Sequence, residues 1–71
     1  MFTVTDYEVK QNEREGVVIG TYATLAFARR VARRIQDAYN TQEFDHVRVI
    51  TVSNSKNLAI EEYTVWDSAH R

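Results

Sequence analysis

The feature that most narrows the fold is one stretch of helical periodicity set between two pairs of strand-like runs. From Leu25 onward the residues Leu25, Ala28, Val31, Ala32, Ile35, Ala38 and Tyr39 recur at steps of three and four, while Arg29, Arg30, Arg33 and Asp37 fall on the opposite side. That is one amphipathic helix, and its apolar stripe has to be laid on something. Thr24 precedes it as N-cap. Phe27 stands where a capping box would need Glu or Gln, so the cap rests on a single hydroxyl bond. Asn40 reads as a left-handed stop.

The strands supply the surface for that stripe. Residues 2–10 are rich in Thr, Val and Tyr and read as a first strand; residues 11–16 form a polar turn in which Gly16 takes positive φ, and residues 17–22 return as a second strand. After the helix, residues 44–53 form a third strand, residues 54–57 a turn and residues 58–66 a fourth strand. The order β-β-α-β-β occupies residues 1–71 as a single α+β domain, with residues 66–71 expected to fray. The expected architecture is a four-stranded, largely antiparallel sheet with the helix packed on one face. Strand order stays open: the helix can bring the second and third strands together as parallel neighbours, or place the second hairpin against the first strand.

Three of the four strands share an irregularity. Phe2 and Val4 have one parity and Tyr7 and Val9 the other; Val47 and Val49 are followed by Ile50 and Val52; Leu58 and Ile60 by Tyr63 and Val65. A β-bulge in each would keep the apolar set on one face. Without bulges both faces are partly apolar, and something covers the side away from the helix. Widths bear on this. A helix is about 10 Å across, whereas four strands about 4.8 Å apart make a sheet nearly twice as wide. One helix therefore leaves apolar surface uncovered, and such patches mark interaction sites. Tyr7 and Tyr63 fall at the phase slips and are the expected anchors on the sheet face away from the helix.

Composition limits how such a chain is held together. The 71 residues include no cysteine, so neither disulfides nor thiolate-bound metal can supplement a core worth only about 3–5 kcal/mol, and self-association is the remaining staple. No apolar run approaches the roughly 18 residues of a membrane span, and no basic and apolar leader opens the chain. A cytoplasmic location is expected. The net charge of −1 gives the whole molecule no pull on polyanions. It conceals an asymmetry, since Arg29, Arg30, Arg33 and Arg34 stand against Asp37 alone in the helix and both hairpins are acidic.

Those arginines admit two readings. The like-charge pairs Arg29 with Arg33 and Arg30 with Arg34 cost a few tenths of a kcal/mol each, and a solvated face ion-paired to the acidic hairpins accounts for them. Alternatively they bind: an acidic protein surface through forked guanidinium groups, or nucleic acid, where four phosphate contacts give a salt slope of about −3.6. No RNP-like strand, zinc motif or recognition-helix polar set accompanies them. In type, a hairpin, a helix and a second hairpin in so short a chain resemble accessory proteins of phages and mobile elements, with no motif carrying the likeness further.

Chemistry is sparse. His46 and His70 lack spaced co-ligands, so no metal or other cofactor is expected. Glu61 and Glu62, adjacent on a strand, point to opposite faces and cannot act as an acid and base pair; one is expected to pair with Arg48 or Lys56. Gly16 and Gly20 frame no phosphate loop. The sequence thus points to a small non-enzymatic interaction protein, a homo-oligomer or bound to a protein partner, contacting it through Tyr7 and Tyr63 on the sheet and through Arg29, Arg30, Arg33 and Arg34 on the helix. A nucleic-acid-binding accessory protein using those four arginines is the alternative.

Overall fold

The computed structural model describes residues 1–10 and 13–70. The elements are β1 (Phe2–Lys10), β2 (Glu13–Tyr22), α1 (Leu25–Tyr39), β3 (Val47–Ser53) and β4 (Ala59–Val65), with a closing 3-10 turn at Ser68–His70. All pairings are antiparallel and the strand order is β2-β1-β3-β4. The fold is α+β in the expected order β-β-α-β-β. Of the two open arrangements, the second hairpin lies against β1, so β2 and β3 run parallel with β1 between them and α1 crosses over β1.

The helix begins as its sequence dictates. The Phe27 amide donates to Thr24 Oγ1 at 3.2 Å, the single-bond cap expected without a capping box. Its end differs from expectation: Asn40 is right-handed, with φ −64° and ψ −14°, its amide donating to the Gln36 carbonyl (3.0 Å) and the Thr41 amide to the Ala38 carbonyl (3.3 Å). The left-handed residue is instead Asn57, φ 62°, in the β3–β4 turn, where Asn54 Oδ1 accepts from the amides of Lys56 (2.9 Å) and Leu58 (3.1 Å). Asn tolerates this conformation because its short polar side chain bonds locally.

The core forms where the helix comes closest to the sheet. Val4, Ile50 and Val52 from the central strands meet Ala28 and Ala32, all fully buried. Alanine at both helix positions lets the helix approach the sheet closely, and Leu25, Val31, Ile35 and Tyr39 close the sides. In the unbroken β1–β3 register Val4 pairs with Val52 and Asp6 with Ile50. Alternation then turns Thr5, Tyr7, Val9, Val47, Val49 and Thr51 to the face away from α1. The phase slips of β1 and β3 are therefore real two-faced apolar strands.

In β4 the slip is a bulge: Val52 pairs with Glu61 and Ser53 with Ala59, which leaves Ile60 as the extra residue. A second bulge, unforeseen, sits in β2, where Val4 pairs with Gly20 and Thr5 with Val18, making Ile19 the extra residue.

Boundaries moved where long-range pairing decided them. β2 starts at Glu13, so Gly16 lies inside a strand, and neither glycine has positive φ. Gly16 is needed for a different reason: it pairs with Tyr7, whose ring occupies the space above it, and an added Cβ would sit 2.5 Å from Tyr7 Cε1. β3 starts at Val47 rather than residue 44, where its pairing with β1 begins at Val9↔Val47. The fraying expected for residues 66–71 does not hold at Ser68, whose hydroxyl accepts from the Phe44 amide (2.8 Å) and whose amide donates to the Phe44 carbonyl (3.0 Å).

Candidate functional site

Among the described residues two surfaces stand out as unused by the core, one on the sheet and one on the helix. The first is β2. It lies at one edge of the sheet, and every residue from Glu13 to Ile19 is exposed. Val17 is 66% and Val18 63% exposed, and Ile19 is exposed as well. Val17 pairs with the helix-facing Asp6 and Val18 with Thr5, so the valines display apolar surface on both faces of the sheet. Among the described residues the outer backbone of this strand has no neighbour in the sheet. Beside it on the helix, Phe27 is half exposed and tilts against Tyr22, ring centroids 5.3 Å apart.

The opposite edge is different. β4 is shorter, bulged, and carries Glu61 and Glu62 in its middle. Charges and bulges on an edge discourage pairing with another chain. β2 has a bulge too, but its centre is apolar.

The second surface is the outer side of α1. Arg29, Arg30, Arg33 and Arg34 line one open hollow with Ala26 and Asp37. They are not equivalent. Arg29 reaches back over the sheet to Glu61, using both Nε and Nη2 on one carboxylate oxygen, while the Tyr63 hydroxyl donates to the other. The Arg29 bond, with Tyr63 second, holds the Glu61 carboxyl below the usual carboxylate range. Burial first, and the Glu61 bond second, push the Tyr63 phenol up. Among the described residues Arg30, Arg33 and Arg34 make no ion pair, which leaves three cations and Asp37 in that hollow.

The two anchor tyrosines separate. Tyr7 faces away from the helix as expected, its ring laid over Gly16. Tyr63 does not. It shares the helix side with Ile50, its cross-strand partner, and packs on the core cluster, because the bulge at Ile60 shifts the parity of everything after it. The expectation that Tyr63 lies on the face away from the helix is therefore corrected, as is the pairing of Glu61 or Glu62 with Arg48 or Lys56.

Arg48 has partners that sequence reasoning missed. Its guanidinium is stacked near the Tyr39 and Phe44 rings, 4.8 and 5.1 Å from their centroids. It bonds both oxygens of Asp6 at 3.2 Å and approaches Glu8 at 3.6 Å. Asp6, 6% exposed, also accepts from the Tyr39 hydroxyl. That bond, then burial, raises the Tyr39 phenol above its ordinary value. The only sequence signal was an acid and a base on separate strands, which becomes a contact only when β1 and β3 are known to be neighbours. The network clamps the end of α1 to the sheet.

Other candidates stay dispersed. His46 is exposed just ahead of β3, in an open hollow with Glu8, Glu43, Asp45 and Ser68. Among the described residues no three His, Cys, Asp or Glu side chains are grouped so as to hold a metal ion, and no helix is long and apolar enough to cross a membrane. Comparison with protein families, with curated proteins and with solved structures finds no match for this chain.

Proposed function

We propose that this protein acts by association: it is a non-enzymatic interaction module that joins a second copy of itself through the part of its sheet that the helix leaves bare. The observation that carries the reading is the run of exposed apolar side chains at Val17, Val18 and Ile19, on the part of an edge strand that α1 leaves uncovered. A small domain gains in two ways from such contact, by covering apolar surface and by enlarging a core that alone is worth only about 3–5 kcal/mol. Light scattering from low to high micromolar concentration tests it. A rise toward twice the 8.3 kDa chain mass is expected; a strict monomer throughout refutes self-association.

A second reading is favoured by the unpaired Arg30, Arg33 and Arg34, which could contact an anionic partner such as a duplex. With Arg29 engaged by Glu61 the salt slope expected for phosphate contact falls to about −2.7. Fluorescence anisotropy with a labelled duplex oligonucleotide checks it: Arg33→Ala combined with Arg34→Ala should abolish binding, Arg29→Ala should change it little, and equal effects or no binding by the unaltered protein would remove the reading.

A further inference from the structure

Resting on the self-association reading, we propose that the contact is strand to strand, β2 pairing antiparallel with β2 of a second copy about a two-fold axis that passes near Val18, to make one continuous eight-stranded sheet. Four observations lead to this occupant.

The first is the strand itself. Ten residues long, about 33 Å at the usual rise per residue, β2 is the longest strand and is exposed along most of its length with its outer hydrogen-bonding groups unanswered. An edge of this kind is a template for another strand.

Charge supplies the second. The segment Glu13-Arg14-Glu15 lies at one end of β2 and Thr21-Tyr22 at the other. In parallel alignment each charged residue would face its own like-charged copy. Antiparallel alignment about Val18 instead sets Glu15 opposite Thr21 and Arg14 opposite Tyr22, so that no charge faces a like charge.

The third is the pattern of the middle. Gly16-Val17-Val18-Ile19-Gly20 has the same order of small and branched apolar residues in both directions, as a two-fold contact requires, because the same patch must complement itself. An axis normal to the sheet also puts both helices on one side, so that the bare ground above β2 becomes the floor between two helices, with Val17 of each copy in it and Val18 of each on the far face.

Area is the fourth. A strip about 33 Å long and about 10 Å deep, the thickness of a sheet with its side chains, covers about 330 Å² per copy before Phe27 and neighbouring side chains are added. The two copies together then cover about 660 Å² before those additions, short of the about 1,000 Å² that specific interfaces clear, so a weak, reversible dimer is expected rather than an obligate one. The β4 edge fits a second copy worse: antiparallel self-pairing there brings the Glu61 and Glu62 carboxylates of both copies together.

The experiment uses the full chain, whose lack of cysteine makes single-cysteine chemistry clean. Light scattering of the unaltered protein comes first, then of the Val17→Lys, Val18→Lys double variant and of Ile60→Lys on the β4 edge, with circular dichroism of each. All three sites are exposed. The β2 variant should be monomeric with an unchanged spectrum and Ile60→Lys should remain dimeric. Val18→Cys, oxidised under mild conditions at micromolar concentration, should give covalent dimer at least tenfold faster than Ile60→Cys; this arm stands even if the double lysine variant fails to fold. A monomeric unaltered protein overturns both the self-association reading and this geometry. A dimer that survives the β2 lysines, or cross-links faster at residue 60 than at residue 18, overturns the β2 pairing and leaves self-association standing.

Discussion

Removing one oxygen atom, by Tyr39→Phe, tests the account of how the helix is held to the sheet. The Tyr39 hydroxyl donates to Asp6, which is buried at 6% exposure and held on its other side by Arg48. A hydrogen bond to a charged group contributes about 1.5–3 kcal/mol. Tyr39 is only partly buried, so the lower part of that range applies and a loss of about 1.5–2 kcal/mol is expected, a fall in Tm of about 10 °C for a domain of this size. Asp6→Ala would remove more, stripping Arg48 of its nearest carboxylate, and could unfold the chain outright; Tyr39→Phe leaves enough stability to measure. Urea unfolding at fixed protein concentration provides the assay, and its pH dependence gives a second check. The Asp6 bond, with burial, raises Tyr39 above its ordinary value of 10.0. Below pH 10 the phenol is protonated in folded and unfolded chains alike and the whole contribution is present. As pH rises from 10 through the folded value, the unfolded chain loses its proton first and the contribution drains away. The gap between the two proteins should therefore be constant from pH 7 to 9 and shrink above pH 10. A gap under about 0.5 kcal/mol at neutral pH, or one that persists unchanged at pH 11, refutes the assignment.

Thr51 is 3% exposed and its hydroxyl oxygen has no hydrogen-bond partner; Thr51→Val should stabilise by about 1 kcal/mol, and thermal unfolding showing a loss of that size would mean the hydroxyl is satisfied after all. Gly16→Val should destabilise by about 1 kcal/mol or more despite the strand preference of valine, because Tyr7 occupies the space. In a Tyr7→Ala background the same change should instead stabilise, and urea midpoints that fail to change sign would refute the close approach. Glu61, held low by Arg29 and Tyr63, contributes stability that is present above the ordinary glutamate value and lost as pH falls through its lowered one; Glu61→Gln should therefore lower the urea midpoint at pH 6, and the difference should shrink as pH falls below the ordinary glutamate value. A difference that stays constant as the pH is lowered would assign the effect to packing.

The element order, the helix with its Thr24 cap and the insufficiency of a lone helix as a roof were legible in the sequence, because each rests on local periodicity or on dimensions common to all helices and sheets. So was the outward face of the arginines. Their unequal state was not: Arg29 finds Glu61 across 32 residues of chain, a pairing that no spacing rule reaches. The same applies to Asp6, Arg48 and Tyr39, which meet only once β1 and β3 are neighbours. The bulges decided the remainder. A single extra residue inverts the facing of everything beyond it, and its position is set by how two distant strands take up each other's twist. That is why Tyr7 and Tyr63, both at phase slips in the sequence, end on opposite faces: β1 runs unbroken against β3, whereas Ile60 shifts β4.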